Sequence, residues 1–321
     1  MHAIEIAEFG DPSVLRWVEL PDPVPGPDQV AIKVSRTNVN FADTLLRRGS
    51  NPGLKRPYIP GLDCTGVITA LGANVQGLKV GQRVTAFADG GSYAEIVVAR
   101  AVLTYAIPDG VADDDVCGLV ALVTAWNAIH LAGRLASGET LLVHSAAGGV
   151  GLAAIQIARR LGAKTIIGLV SDLKKAEIVR ECGADHVLEA KDFAAGTRDT
   201  LGGPHVDVIL DPNAGESFLR NFDVLAPFGR LVSFGQAAGA PAMVGTELLH
   251  PTNRAVIGYS SGHYRAARPA ALRPAADGVI AAIQAGDLRL VIGARFPLRE
   301  AAEAHRLIES RKSHGKILLT P

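Results

Sequence analysis

The rhythm of apolar and polar positions changes twice along this 321-residue chain. Over residues 29–39, apolar Val30, Ile32 and Val34 alternate with polar or small neighbours, the two-residue period of a half-buried strand. Comparable short runs at 64–71, 83–87 and 92–98 are punctuated by Gly66, Gly72, Gly77, Gly81, Gly90 and Gly91. Many short strands joined by glycine-rich turns predict a β-barrel or sandwich-like domain. From about Val116 the pattern lengthens. A helix is predicted over 116–131, then an apolar run at 140–144 and a β-branched run at 165–170. Helical patterns at 174–182 and 217–225 alternate with extended runs at 206–210 and 230–234. Continuous apolar strands separated by helices imply a parallel sheet covered on both faces. After residue 255 the pattern is mixed again, with helices expected at 271–285 and 298–309 and strands at 294–296 and 316–320. The expected organisation is α/β: a β-rich domain from residues 1–115 and 256–321, interrupted by an alternating strand-helix unit at 116–255.

The strongest chemistry lies at 141–151, Leu-Leu-Val-His-Ser-Ala-Ala-Gly-Gly-Val-Gly. An apolar strand runs into small residues and then into a segment with Leu152, Ile155 and Ala158 on one face, closed by Gly162. Strand, glycine turn and helix form the context in which a dinucleotide fingerprint is credible. Gly148 would let backbone amides approach a pyrophosphate, and Gly151 would let the helix pack closely on the strand. Ala146 occupies the first glycine position of the usual GxGxxG pattern. The tip of the next strand reads Leu169-Val-Ser-Asp172, followed by Lys174 and Lys175. A Ser171 hydroxyl and a nearby ammonium suit a 2′-phosphate and favour NADPH. Asp172 opposes that reading if its carboxylate faces inward, and a solvated helix face is the plainer account of one lysine.

Composition narrows the remaining classes. Lys plus Arg and Asp plus Glu both number 32, so no global field recruits nucleic acid or an anionic membrane. No basic stripe with interleaved aromatics is present, which argues against nucleic-acid binding. Cys64, Cys117 and Cys182 lie far apart and form no CxxC pair, so neither a disulfide framework nor a structural zinc site is expected. No apolar run reaches membrane-spanning length and the first residues do not read as a signal peptide, so a soluble cytoplasmic protein is expected.

Six segments, in order and spacing, resemble the medium-chain dehydrogenase/reductase superfamily, in particular its quinone oxidoreductases. They are 38–44 (NVNFADT), 60–66 (PGLDCTG), 80–84 (VGQRV), 90–95 (GGSYAE), 124–126 (TAW) and 146–151 (AAGGVG), with 309–317 (ESRKSHGKI) at the end. The resemblance implies a GroES-like barrel, a Rossmann domain and an active site in the cleft between them. By position, Thr124 would contact the nicotinamide carboxamide, and Ala147, Gly148, Gly149, Val150 and Gly151 would form the pyrophosphate loop. Ser171, Lys175 and Arg311 would surround the adenosine phosphate, and Phe234 and Gly235 would lie beside the nicotinamide ribose. Asn40 and Asp43 would line the floor near the reacting carbon. Ala190 stands where quinone reductases often place an aromatic ring. Zinc members place Cys near Asn38–Asn40 and Gly-His-Glu at Gly61-Leu-Asp63, so no tetrahedral zinc site is expected here. A homodimer through residues 254–260 at the sheet edge is implied as well.

Without metal or an acid/base dyad, the expected chemistry is hydride transfer from NADPH to a small-molecule quinone or enone, driven by positioning. Asn40 would donate to the developing oxygen, or else satisfy barrel backbone. Two other readings stay open. One is reduction of an alkenal, enone or enoyl thioester double bond. The other is a non-catalytic NADPH-binding, redox-sensing module. His144 is expected to be a satisfied core residue, and Tyr93 a structural one.

Overall fold

The alternation over 29–39 becomes a strand of that full length in the computed structural model, which describes residues 1–203 and 205–321. The chain divides into two compact units, Met1–Ala121 with Gly262–Pro321, and Leu122–Ser261.

Strands β1 (His2–Ile6), β2 (Leu15–Glu19), β3 (Gln29–Val39), β4 (Asp63–Leu71), β5 (Arg83–Phe87), β6 (Ile96–Arg100) and β7 (Thr104–Ala106) belong to the first unit. The second carries β8 (Thr140–Val143), β9 (Thr165–Val170), β10 (His186–Glu189), β11 (Val206–Asp211), β12 (Leu225–Ser233) and β13 (Ala255–Gly258). The chain then returns to the first with β14 (Ile292–Pro297) and β15 (Lys316–Thr320). The helices up to the sheet of the second unit are α1 (Phe41–Arg47), α2 (Asp113–Val116) and α3 (Leu119–Asn127). They are followed by α4 (Gly149–Arg160), α5 (Ala176–Glu181), α6 (Phe193–Leu201), α7 (Ser261–Ala267), α8 (Arg273–Gln284) and α9 (Ala301–Glu309).

In the first unit β3 organises the sheet, whose order is β14-β15-β3-β4-β5-β7, with β6 also on β3. One edge of β3 pairs with β4 over residues 30–37, while the other is shared, residues 29–33 facing β6 and 37–39 facing β15. Register shifts in the β3–β4 pairing, between Ala31 and Ile32 and between Val34 and Arg36 of β3, supply the bends that let one strand serve three partners. Val30, Ile32 and Val34 pack with Ile68, Val84 and Val97 in the core. A second cluster gathers Ile4, Ile6, Val39, Tyr93, Ile317 and Leu319 beneath Leu298, Ala301 and Ala304.

The second unit is a six-stranded parallel sheet of order β10-β9-β8-β11-β12-β13. The chain proceeds from β8 outward to β10 and then crosses back to β11, so its direction reverses between β8 and β11. In open α/β sheets that reversal opens a crevice at the carboxyl ends of the strands, where ligands bind. The apolar runs are buried as their continuity implied, Leu142, Ile167, Leu169, Ile209 and Leu231 meeting Phe193, Phe218 and Phe222.

Some boundaries differ from the sequence expectation for identifiable reasons. The helix expected over 116–131 is broken: Cys117 leaves helical geometry, and Gly118 abuts Leu290 so closely that a Cβ would lie 2.8 Å from its Cδ1. The strand expected at 92–98 begins only at Ile96, because Tyr93 N–H donates to Pro60 and Ala94 bridges to Ala3. Residues 216–223 form a run of 3-10 turns rather than an α-helix. No helix among the described residues is long and apolar enough to cross a membrane.

Candidate cofactor and active site

The glycine-rich segment of the second unit sits where the sheet order reverses. After β8, Ser145 adopts a left-handed φ of 52° and Gly148 becomes the N-cap of α4, with no side chain capping the helix. First-turn N–H groups of α4 are thereby left for an anion, and the helix dipole favours one. Gly151 meets the preceding turn at close range: a Cβ there would lie 2.6 Å from Ala146 O and 2.7 Å from Ser145 O. Gly148 has more room, its Cβ position being 3.2 Å from Ser145 O. Ala147 is buried, whereas Gly148, Gly149 and Val150 are half-buried along the open side of the loop.

At the tip of β9, Ser171 and Asp172 are exposed and Lys175 is half-buried. Asp172 Oδ1 accepts from Lys174 N–H at 2.9 Å and caps the 3-10 turn Leu173–Lys175. Its carboxylate is thus engaged by its own turn. Burial pulls the Lys175 ammonium below the usual lysine range, with Asp172 opposing that shift. Ala190 is exposed directly after β10. Phe234 and Gly235 follow β12, held by Phe234 N–H donating to Asp211 O at 3.1 Å. Gly235 passes so near Pro212 that a Cβ would lie 2.5 Å from its carbonyl oxygen. Thr124 is buried on α3, and Asn127, three residues on, donates to the Tyr259 hydroxyl at 3.0 Å. Arg311 belongs to the first unit, exposed at the turn after α9 with a φ of 59°.

The first unit gathers Asn40 and Asp43 with two residues that spacing did not single out, Asp63 and Lys316. Lys316 Nζ donates to Asn40 Oδ1 at 2.7 Å and to Val39 O at 2.9 Å. That fixes the amide, so Asn40 Nδ2 donates to Asp63 Oδ1 at 2.8 Å, while Asp63 Oδ2 accepts from Val120 N–H at 2.9 Å. Asp43, three residues into α1, accepts from Asn40 N–H at 2.8 Å and from Gly61 N–H at 3.3 Å. Burial, opposed by these bonds, lifts the Asp43 carboxyl to about 7. Burial lowers the Lys316 ammonium, and Asp63 and Asp43 counteract it. The signal for Lys316 was a lysine opening an otherwise apolar strand.

A second buried chain stands beside it. Arg47 Nε donates to His305 Nδ1 at 3.3 Å, so the other ring nitrogen carries the proton toward the Tyr93 hydroxyl at 3.1 Å. Arg47 also pairs with Glu309. Burial, reinforced by Arg47, drops His305 to about 3, against 6.5 for the free side chain. Since the unfolded chain binds a proton below 6.5 and the folded chain does not, stability is lost as pH falls from 6.5 toward 3. Asp43 acts oppositely between 3.8 and 7, because the folded state holds the extra proton. Urea titrations of a His305→Phe variant should show the acid slope between about pH 6 and 4 reduced by about 1.4 kcal/mol per pH unit. An unchanged slope would mean that His305 protonates freely in the native protein.

Residues 26–109 match the alcohol dehydrogenase GroES-like domain, and residues 182–319 match the zinc-binding dehydrogenase family. The chain is 33% identical over 324 residues to a quinone oxidoreductase of Pseudomonas aeruginosa, with 99% of each covered. It is 35% identical over 308 residues to a phenolphthiocerol/phthiocerol polyketide synthase of Mycobacterium tuberculosis, covering 92% of this chain but 14% of that protein. A mycobacterial structure complexed with NADPH superposes with a TM-score of 0.93 at 33% identity over the whole of both chains. Escherichia coli quinone oxidoreductase complexed with NADPH gives 0.93 at 27% identity, again over both whole chains. The residues at Asn40 and Asp63 do not fit the zinc ion that one family description carries, because an ammonium, an amide and a carboxylate already satisfy one another there. Among the described residues, no group of three or more His, Cys, Asp or Glu is placed to hold a metal ion.

Proposed function

Because this chain belongs to the quinone oxidoreductase-like medium-chain dehydrogenases/reductases, we propose that it is an NADPH-dependent reductase passing hydride to a quinone or related conjugated carbonyl without a metal. The observation that carries this reading is the uncapped start of α4 behind a glycine turn, at the sheet's reversal. Main-chain N–H groups of residues 149–151, in the first turn of α4, hold the pyrophosphate there. Ser171 and Lys175 take the adenosine phosphate, while one carboxylate oxygen of Asp172 is engaged in capping its own turn. Bound NADPH supplies the hydride from its reduced nicotinamide ring. The chain's own residues orient the ring through Thr124 and the Phe234–Gly235 turn, and exclude water. Asn40 and Asp43 shape the floor: both Asp43 oxygens are spent on backbone and the Asn40 amide is held by Lys316 and Asp63, which suits shaping better than proton transfer. On the same family grounds we place the protein in the cytoplasm as a homodimer joined along the open edge of β13.

A second reading, reduction of an enoyl thioester double bond, is favoured by the identity to a segment of polyketide synthases being as high as that to the stand-alone quinone oxidoreductase. Loss of NADPH absorbance with benzoquinone, an enone and an enoyl thioester separates the two by which acceptor is turned over. Tight binding of NADPH with no oxidation across the panel would instead support a non-catalytic binding module. Lys175→Ala should raise the KM for NADPH by about 10- to 100-fold, the loss of one charge-assisted contact, and leave that for NADH unchanged. Equal effects on both nucleotides would move the adenosine phosphate away from Lys175.

A further inference from the structure

Three buried polar side chains of the second unit lie at the carboxyl ends of β8 and β11, the two strands that flank the reversal. His144 directly follows β8, Asp211 ends β11 and Asn221 comes from the turns at 216–223. Their exposures are 4%, 0% and 0%. Asn221 Nδ2 donates to Asp211 Oδ2 at 2.9 Å, which turns its carbonyl oxygen toward His144 Nε2 at 2.7 Å. The imidazole therefore carries its proton on Nε2 and donates it. The other Asp211 oxygen accepts from Asn213 N–H at 2.6 Å and Ala214 N–H at 3.3 Å, holding Ala214 at a φ of 56°. Asn213 Oδ1 in turn accepts from the Ser145 hydroxyl at 3.3 Å. Ser145 is joined by a peptide bond to His144, so the bonds close into a ring.

The neighbours of this ring along both strands, Leu142, Val143, Ile209 and Leu210, are fully buried and apolar. Burying a histidine, an amide and a carboxylate among them costs free energy that packed aliphatic groups would not. What the ring secures is the position of two loops, the glycine turn at Ser145 and the turn at 212–214. The second of these also holds the end of β12, because Asp211 O accepts from Phe234 N–H and Pro212 O accepts from Ala237 N–H at 3.0 Å.

We propose that His144, Asn221 and Asp211 are positioning residues for the dinucleotide, setting the gap between the glycine turn and the 212–214 turn through Asn213 and Ser145. This rests on the NADPH reading above. The ring touches the cofactor only through the loops it holds, so its loss weakens affinity without removing a cofactor contact.

Calorimetry with NADPH on the full chain tests this. His144→Phe, which keeps a ring against Phe193, and Asn213→Ala, at a half-buried position, should each weaken binding about tenfold. Since both break one ring, the double variant should bind within about threefold of the weaker single one. His144→Gln, whose amide Nε2 reaches a similar point, should recover most of the affinity that Phe loses. Unchanged affinity in the single variants, multiplied losses in the double one, or a Gln variant as weak as Phe would each overturn the inference and leave NADPH binding standing. No heat with the wild-type chain would overturn both. If His144→Phe fails to fold, Asn213→Ala and Ser145→Ala carry the test.

Discussion

Replacing Gly151 with valine is expected to abolish NADPH binding, weakening it by more than about a hundredfold. Even the Cβ of the new side chain would fall 2.6 Å from Ala146 O, 2.7 Å from Ala146 Cα and 2.7 Å from Ser145 O. All three are backbone atoms of the turn that precedes α4, so relief requires moving the turn or the helix. A displacement of that size misaligns the first-turn N–H groups, and losing two charge-assisted bonds of about 1.5–3 kcal/mol each gives the predicted factor. Overpacking adds a folding cost of about 1–3 kcal/mol, so the protein without nucleotide should also melt earlier. Gly148→Ala provides the contrast. Its backbone, at φ −80° and ψ 167°, suits any residue, and the added methyl sits 3.2 Å from Ser145 O. That variant should melt near the wild-type temperature while binding NADPH more weakly, because the methyl stands where the pyrophosphate approaches. A Gly151→Val protein that bound NADPH as the wild type does would place the pyrophosphate elsewhere.

The parts of this molecule that could be read from sequence are those whose cause is local. Val30, Ile32 and Val34 bury one face of β3, and the alternation reports it. The β8–turn–α4 unit is one continuous segment, residues 140–160, so its spacing carries the geometry. Helix α1 escaped because it inverts the usual pattern, burying Asp43, Thr44 and Arg47 in seven residues. Strands β1 and β2 are short and pair mainly with each other, leaving little periodicity to detect. The polar clusters were hidden for a different reason. Lys316 meets Asn40 across 276 positions and His144 meets Asn221 across 77, and no spacing rule connects residues joined only by the fold. For His144 the expected core role is where the imidazole lies, but its partners come from elsewhere in the chain.

Lys316→Met should be among the most damaging substitutions in the first unit, costing about 3–5 kcal/mol, the usual consequence of breaking a buried charged network from one side. The lysine is 4% exposed, and its ammonium is the donor for Val39 O and Asn40 Oδ1. Methionine matches its length but leaves both oxygens without that donor, and the Asn40 amide is then free to turn away from Asp63. It also removes a positive charge that restrains the Asp43 carboxyl, already lifted to about 7 by burial. The sign follows from the proton count. In the variant, folded Asp43 keeps its proton to a higher pH than in the wild type, whereas the unfolded chain has released it above 3.8. Stability of the Lys316→Met protein should therefore keep falling between about pH 7 and 8, where the wild-type contribution from Asp43 has levelled off. Combining Lys316→Met with Asp63→Asn should cost less than the two separate losses added together, since the amide no longer needs the cation. Thermal melts across about pH 6–8 check all of these outcomes. A Lys316→Met protein as stable as the wild type throughout that range would mean that packing, and not the ammonium, holds Asn40 and Asp63 together.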